Sequence, residues 1–135
     1  MVVASATEGW CTEIPGGVEA GCIARELLSE MFAETMPQET LHDLHLLTTE
    51  LVTNAVLHAG AAASDAIELR VASGADSLRV SVTDRGRGSE TPHVEELDLE
   101  IPGGMGLYLV EQISSRWGAE RLGGGANRVW FELTA

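Results

Sequence analysis

Residues 78–88 have the sequence LRVSVTDRGRG, which carries more information about the fold than any other stretch. Side chains alternate between the two faces of a strand, so Leu78, Val80, Val82 and Asp84 share one face. Because three of these four residues are apolar, that face is predicted to look toward the core and to carry Asp84 with it. A carboxylate at the edge of a core is costly unless it meets a donor, and the glycines that follow allow a ligand to approach closely. An ordinary strand that ends in an Asp-x-Gly turn is the alternative interpretation.

A second pattern lies on a strongly apolar helix predicted for residues 40–59. Glu50, Asn54 and His58 occur there at i, i+4 and i+8, and they form one line along the helix. An Asn carbonyl suits a hard cation such as Mg²⁺, with phosphates and waters as the other ligands. A nearby Glu can orient or deprotonate a nucleophile. A solvated stripe on an amphipathic helix is the alternative.

A third pattern, GGMGL at residues 103–107, comes directly before another predicted helix. Backbone amides at the start of a helix have no partner within the helix and attract anions. A flexible hinge would contain similar glycines, so this segment is informative mainly in combination with the other two.

In this order and spacing, the three patterns resemble the Bergerat-fold ATP-binding family, which includes gyrase, sensor histidine kinases and the anti-sigma serine kinases of bacteria. Residues 50–55, ELVTNA, resemble its N-box. Residues 84–88, DRGRG, resemble its first glycine box, and residues 104–107, GMGL, resemble its second. The resemblance extends over residues 10–134, and the short chain, the form of the N-box and the terminal strand are most similar to the stand-alone anti-sigma factor branch.

The resemblance implies a role for each matching residue. Asp84 would accept a hydrogen bond from the adenine amino group, Asn54 would bind an Mg²⁺ ion that bridges the phosphates, and Glu50 would be the general base toward a serine on a partner protein. The other residues implied in the ATP site are Gly86, Gly88, Gly103, Gly104, Met105, Gly106, Leu107 and His58. Residues 89–102 would form a lid over the nucleotide.

The lid departs from the family pattern because it contains five acidic residues and no lysine or arginine. Phosphoryl transfer depends on neutralising the charge that builds on the phosphate oxygens. Kinase members of the family commonly place a cation in the lid or beside it, where Met105 stands in this chain. The nearest arginines in sequence are Arg85, Arg87 and Arg116.

Composition limits the function classes. The chain has 135 residues, a net charge of −13, eight cations that are all arginine, and no lysine. The lack of lysine excludes a Walker-A phosphate loop, and without a basic cluster direct binding of nucleic acid is not expected. The negative charge would attract a basic protein partner to the surface of the chain; the alternative is that it serves solubility alone. With no apolar span of ~20 residues and no signal pattern, the expected location is cytoplasmic, without membrane attachment.

The patterns along the chain predict one α+β domain after a loose leader at residues 1–9. The predicted elements are a strand at 10–14, helices at 18–35 and 40–59, a hairpin at 67–82, a helix at 104–116 and two strands around 123–125. These blocks favour a two-layer α/β sandwich, with three helices on one face of a mixed, mostly antiparallel sheet of four or five strands. Cys11 and Cys22 are interpreted as small apolar fillers. Trp130 is interpreted as core or edge packing, with an interface role as the alternative.

Two functions follow from the resemblance. In the first, the chain is an ATP-binding anti-sigma factor that sequesters a sigma factor and phosphorylates a serine of an anti-anti-sigma partner. In the second, it is a catalytically weak or inactive ATP-binding module that regulates a protein partner by docking alone. Homodimerisation is usual in the family.

Overall fold

A computed structural model describes residues 9–58, 66–74, 76–84, 106–122 and 126–134. Within them the chain forms five strands and three helices. In chain order these are β1 (Gly9–Pro15), α1 (Ala20–Phe32), α2 (Gln38–His58), β2 (Ala66–Ser73), β3 (Ser77–Asp84), α3 (Gly106–Ile113), β4 (Arg116–Arg121) and β5 (Asn127–Thr134).

The five strands form one sheet with the order β1-β2-β3-β5-β4. Every pair of neighbouring strands in it is antiparallel, so the described sheet contains no parallel pair and is not mixed. The predicted hairpin is present, with Ser73 opposite Leu78 where β2 turns into β3.

The sheet has an inner face that meets the helices and an outer face that does not. On β3 the inner positions Leu78, Val80, Val82 and Asp84 are all buried, as their alternation predicts. Apolar residues of α1 and α2, among them Leu28, Leu44 and Leu47, complete the core. Helices on one face of an antiparallel sheet make the two-layer α/β sandwich, so the predicted fold class is confirmed.

The two long helices are joined by a short connection that contains Pro37. Proline lacks the amide hydrogen that a continuing helix needs, so α1 ends at Phe32 and α2 begins at Gln38. Both helices bury the apolar positions that their periodicity predicts, including Leu28 and Met31 on α1 and Leu51 on α2.

The third helix is shorter than its sequence pattern indicates. It ends at Ile113, and the Ser114 hydroxyl donates to the carbonyl of Val110 in its last turn. The prediction that it extends to Arg116 and ends at Trp117-Gly118 is wrong. Those residues belong to β4, where Trp117 lies opposite Phe131 and Gly118 lies opposite Trp130.

The cysteine interpretation is also wrong, because both thiols are exposed. Cys11 lies on the outer face of β1, and Cys22 lies on the exposed side of α1. In the described part of the chain, no helix combines the length and hydropathy of a membrane span.

Candidate functional site

Helix α2 carries the first two candidate residues on the flank of its buried stripe. Leu44, Leu47 and Leu51 form that stripe and are fully or almost fully buried. Each residue of a helix advances the side-chain direction by about 100°, so each step of four residues turns it by about 40°. Asn54 therefore points about 40° closer to the core than Glu50 does. Asn54 is only 8% exposed, whereas Glu50 is half-buried. Asn54 is thus not part of a solvated stripe.

Burial changes the acidity of Glu50. Loss of solvent around its carboxyl raises the pKa of Glu50 above its ordinary value of 4.5. A carboxylate with a raised pKa holds a proton more readily, and this property suits a general base that works near neutral pH.

Polar contacts hold α1 against a side of α2 that does not carry Glu50. Arg25 on α1 donates to the Thr49 hydroxyl at 3.0 Å, and Thr49 donates to the carbonyl of His45 at 2.7 Å. Ser29 on α1 and His45 share a further hydrogen bond of 3.0 Å. We call these four residues the α1–α2 seam.

The second group of candidate residues lies where β3 ends and β5 begins. Asp84 is the last residue of β3 and lies opposite Asn127, the first residue of β5. Both lie on the inner face and are buried, at 7% and 3% exposure. The side-chain carbonyl oxygen of Asn127 is buried and has no hydrogen-bond partner within the described residues. Such an atom costs about 1–3 kcal/mol unless a ligand or water satisfies it.

Asn127 is the residue that the sequence interpretation missed. The alternation of Val129, Phe131 and Leu133 predicts the inner face of β5, and one further step back along that alternation reaches Asn127. The alternation of β5 is therefore the sequence signal that identifies Asn127 as an inner-face residue.

Helix α2 contacts α1, α3, β3 and β5, so it packs against the two strands whose ends carry Asp84 and Asn127. Three comparisons with known proteins identify the type of domain. A family model described as a histidine kinase-like ATPase domain matches residues 19–133. The chain belongs to this family.

One similar sequence and one similar structure show how far the likeness of this histidine kinase-like ATPase domain extends. It is 40% identical over 88 residues to blue-light-activated histidine kinase 2 of Erythrobacter litoralis (strain HTCC2594). That match takes in 63% of this chain but 24% of the relative, so the chain corresponds to about a quarter of that kinase. A chain in the crystal structure of the SiaB–SiaC complex from Pseudomonas aeruginosa has the same fold, with a TM-score of 0.61 and 16% identity over 93% of this chain and 89% of that one.

The remaining predicted residues of the ATPase site lie at the ends of the described segments or outside them. Gly106 and Leu107 are the first two residues of α3, which places the predicted anion-binding helix start at Gly106. His58 is the last residue of α2, and the side chains of His58 and Leu107 are outside the description. Gly86, Gly88, Gly103, Gly104 and Met105, together with the predicted lid, also lie outside the described residues.

The described part of the candidate site contains hydrogen-bonding side chains rather than a cluster of metal ligands. No group of three or more His, Cys, Asp or Glu side chains with metal-binding geometry occurs in the described residues. Asp84, Asn127 and Asn54 instead offer buried hydrogen-bonding groups to a polar ligand. Arg116, one of the three arginines nearest in sequence to the lid, lies on the outer face of the sheet, where it pairs with Glu132.

Proposed function

We propose that this chain is an ATP-dependent regulator of bacterial transcription that works in the cytoplasm. It sequesters a sigma factor, and it phosphorylates a serine of an anti-anti-sigma partner, with ATP as phosphoryl donor and Mg²⁺ as metal. Membership of the ATPase family supports the nucleotide part of this proposal. The partner part rests on the resemblance of the motifs to the anti-sigma branch, and it agrees with the presence of a similar fold in a two-protein complex.

The observation that carries the nucleotide proposal is the buried pair of Asp84 and Asn127. A carboxylate that is 7% exposed at the end of an apolar strand can accept a hydrogen bond from a donor on a ligand. The adenine amino group is such a donor, and the unsatisfied carbonyl of Asn127 lies on the opposite strand.

Two residues of α2 have different proposed roles, Asn54 in binding of the metal and Glu50 in transfer of the phosphoryl group. Asn54 would hold Mg²⁺ through its side-chain oxygen, and the ion would supply positive charge that offsets the charge on the phosphates. Glu50 takes the proton from the partner's serine hydroxyl while the γ-phosphoryl group passes from ATP to that oxygen and ADP leaves. The raised pKa of Glu50 supports this role, because the carboxyl then accepts a proton more readily than an exposed glutamate does.

Calorimetry with ATP and ADP tests the nucleotide site. The wild type should bind both nucleotides, and Asp84→Ala should lose binding because it removes the group that selects the base. Asp76→Ala is a matched control, since Asp76 is an exposed carboxylate in the turn before β3. Asn54→Ala should weaken binding of ATP with Mg²⁺ more than binding of ATP in EDTA. A wild type that binds neither nucleotide at millimolar concentration contradicts the proposal.

A second candidate function is regulation by docking alone, without phosphoryl transfer. Two observations favour it: the segment 89–102 contains no lysine or arginine, and Arg116 lies on the outer face of the sheet. Incubation of the wild type with radiolabelled ATP and its cognate partner distinguishes the two functions. Labelled phosphoserine on the partner supports the kinase, whereas nucleotide binding without label supports the docking module.

A further inference from the structure

Three residues form a row across one end of the sheet. Asp84 ends β3 and lies opposite Asn127, and Asn127 in turn lies opposite Arg121, the last residue of β4. Because adjacent strands lie about 4.8 Å apart, the backbones at Asp84 and Arg121 are separated by about 10 Å across Asn127. We call these three residues the strand-end row. It extends the proposed site from β3 to β4.

Arg121 belongs to the inner face of the sheet, as the alternation along β4 shows. Trp117 and Ala119 pack against the core from that face, whereas Arg116 pairs with Glu132 on the outer face. Successive side chains of a strand point to opposite faces, so Arg121 shares the face of Trp117 and Ala119. Its side chain is exposed, and a polar ligand at this end of the sheet can therefore reach the guanidinium from solvent.

The other described arginines occupy different places. The described residues contain six arginines and no lysine. Four of them lie on the outer face of the sheet, where each pairs with a glutamate: Arg70, Arg79, Arg116 and Arg128. Arg25 donates to Thr49 between α1 and α2. Within the described part of the chain, Arg121 is thus the one arginine on the inner face of the sheet.

Helix α3 begins at the same end of the molecule as Arg121. Only two residues separate the end of α3 at Ile113 from the start of β4 at Arg116. Val110 is fully buried, so α3 folds back over the sheet and runs opposite to β4. The helix spans about 12 Å and the strand about 17 Å. The first turn of α3, which begins at Gly106, therefore lies over the half of β4 that ends in Arg121.

We propose that Arg121 binds the phosphate groups of the nucleotide, an inference that rests on the proposed ATP site. The base lies at Asp84, and the phosphates lie on the side of β4 and the start of α3. Free backbone amides at a helix start and an arginine fork both suit phosphate oxygens. The buried, unsatisfied carbonyl of Asn127 lies between the two ends of the row, where a donor on the base or ribose can satisfy it.

Arg121 supplies from the sheet a positive charge that segment 89–102 lacks. That segment contains five acidic residues and no lysine or arginine, and the whole chain has a net charge of −13. An anionic ligand is repelled by such a charge, so a cation beside its phosphates is needed for tight binding. Pairing of β4 with β5 fixes the backbone of Arg121 before any nucleotide binds, and less order is lost on binding than with a cation on a loop.

Calorimetry with ATP and Mg²⁺ tests the assignment. Arg121→Ala should weaken ATP binding by about tenfold or more, because hydrogen bonds to charged groups are among the strongest. Arg121→Lys should recover part of that affinity, since it keeps the charge but not the planar fork. Arg116→Ala is the matched control, because it removes the same charge from the opposite face of the same strand. Its ATP affinity should stay within about twofold of the wild type, since distant exposed charges are screened.

Adenosine separates the phosphates from the base as the group that Arg121 contacts. In an NMR titration, Arg121→Ala and the wild type should bind adenosine equally, because adenosine carries no phosphate. Equal losses of affinity for adenosine and ATP overturn the proposal. Arg121 also takes part in an interaction in the free protein, so urea denaturation of each variant measures whether the fold is retained.

Salt gives a further readout that a purely structural role does not change. Added NaCl should weaken ATP binding more steeply in the wild type than in Arg121→Ala, because screening acts on the charge that the variant lacks. A wild type that binds no nucleotide overturns the proposed ATP site, and this inference with it. A wild type that binds ATP, with the same affinity in Arg121→Ala, overturns the assignment of Arg121 alone.

Discussion

Asp84 and Asn127 face each other across the β3–β5 pair, and both point into the layer between the sheet and the helices. One is a carboxylate and the other carries a carbonyl oxygen that no described group satisfies. A polar ligand could satisfy the Asn127 carbonyl, so under the proposed function this pair links the stability of the free protein to nucleotide binding.

The first prediction concerns Asn127→Ala. Removal of an unsatisfied carbonyl offsets much of the cost of the lost side chain, so the free energy of unfolding should change by less than about 1 kcal/mol. The affinity for ATP should fall under the proposed function, because a group proposed to contact the nucleotide has been removed. Urea denaturation and calorimetry measure the two effects, with Thr134→Ala at the exposed end of β5 as the control. Loss of stability without loss of affinity would assign Asn127 a structural role.

The second prediction concerns Glu50→Gln. Its affinity for ATP should remain within about twofold of the wild type, whereas transfer to a partner serine should fall by ~10²–10⁴-fold, the usual contribution of a positioned base. Glu26→Gln removes the same charge from an exposed position on α1 and should leave transfer unchanged. Transfer at the wild-type rate in Glu50→Gln would exclude Glu50 as the base.

The third prediction concerns pH and His45. Burial, followed by the nearby charges of Arg25 and His42, lowers the pKa of His45 below its ordinary value of 6.5. The unfolded chain therefore binds this proton more readily than the native chain, and stability falls as the pH drops from about 6.5 through the lowered native value. Urea denaturation at pH 7.5, 6.5 and 5.5 should show this loss in the wild type.

His45→Gln should reduce that dependence on pH, because the substituted side chain does not titrate. Glu39→Gln is the control, since it changes an exposed residue on the same helix and leaves the contact between Ser29 and His45 in place. Identical pH profiles for the wild type and His45→Gln would show that His45 does not control acid stability.

The fourth prediction concerns Gly118→Ala. The added methyl group would lie 2.8 Å from the Trp130 ring, so the ring must leave its position beside Arg79. Overpacking of this kind costs about 1–3 kcal/mol of stability. Gly9→Ala is a control on the same face, because its nearest contact at 3.5 Å is ordinary. Near-ultraviolet circular dichroism should change for Gly118→Ala only. Equal free energies of unfolding for Gly118→Ala and Gly9→Ala would contradict the prediction.

The sequence predicts local features of this fold well and nonlocal ones less well. Alternation along β3 and periodicity along α2 follow from neighbouring residues alone, so the burial of Val80, Leu47 and Asp84 is predictable. The end of α3 is different, because the predicted helix extends to residue 116, whereas pairing with β5 places Arg116 in a strand. Long-range strand pairing overrides local preference there.

The residues of the candidate site likewise divide into those that local sequence patterns predict and those that only long-range pairing reveals. Glu50, Asn54 and Asp84 stand out because polar residues interrupt apolar patterns, and the structure buries Asn54 and Asp84. The importance of Asn127 depends on its register opposite Asp84, and only the folded sheet defines that register. The exposure of Cys11 was missed for a related reason, since an apolar residue type does not reveal which face of an edge strand it occupies.

The α1–α2 seam determines the rotation of α2 about its own axis. Apolar helix contacts tolerate small rotations, whereas hydrogen bonds from Arg25 and Ser29 to successive turns of α2 act as two fixed points along one side. Because Thr49 and Glu50 are adjacent, their side chains diverge by about 100° around the axis. Holding Thr49 toward α1 therefore aims Glu50 away from it, so the direction of the proposed base is determined by contacts on a different side of its helix.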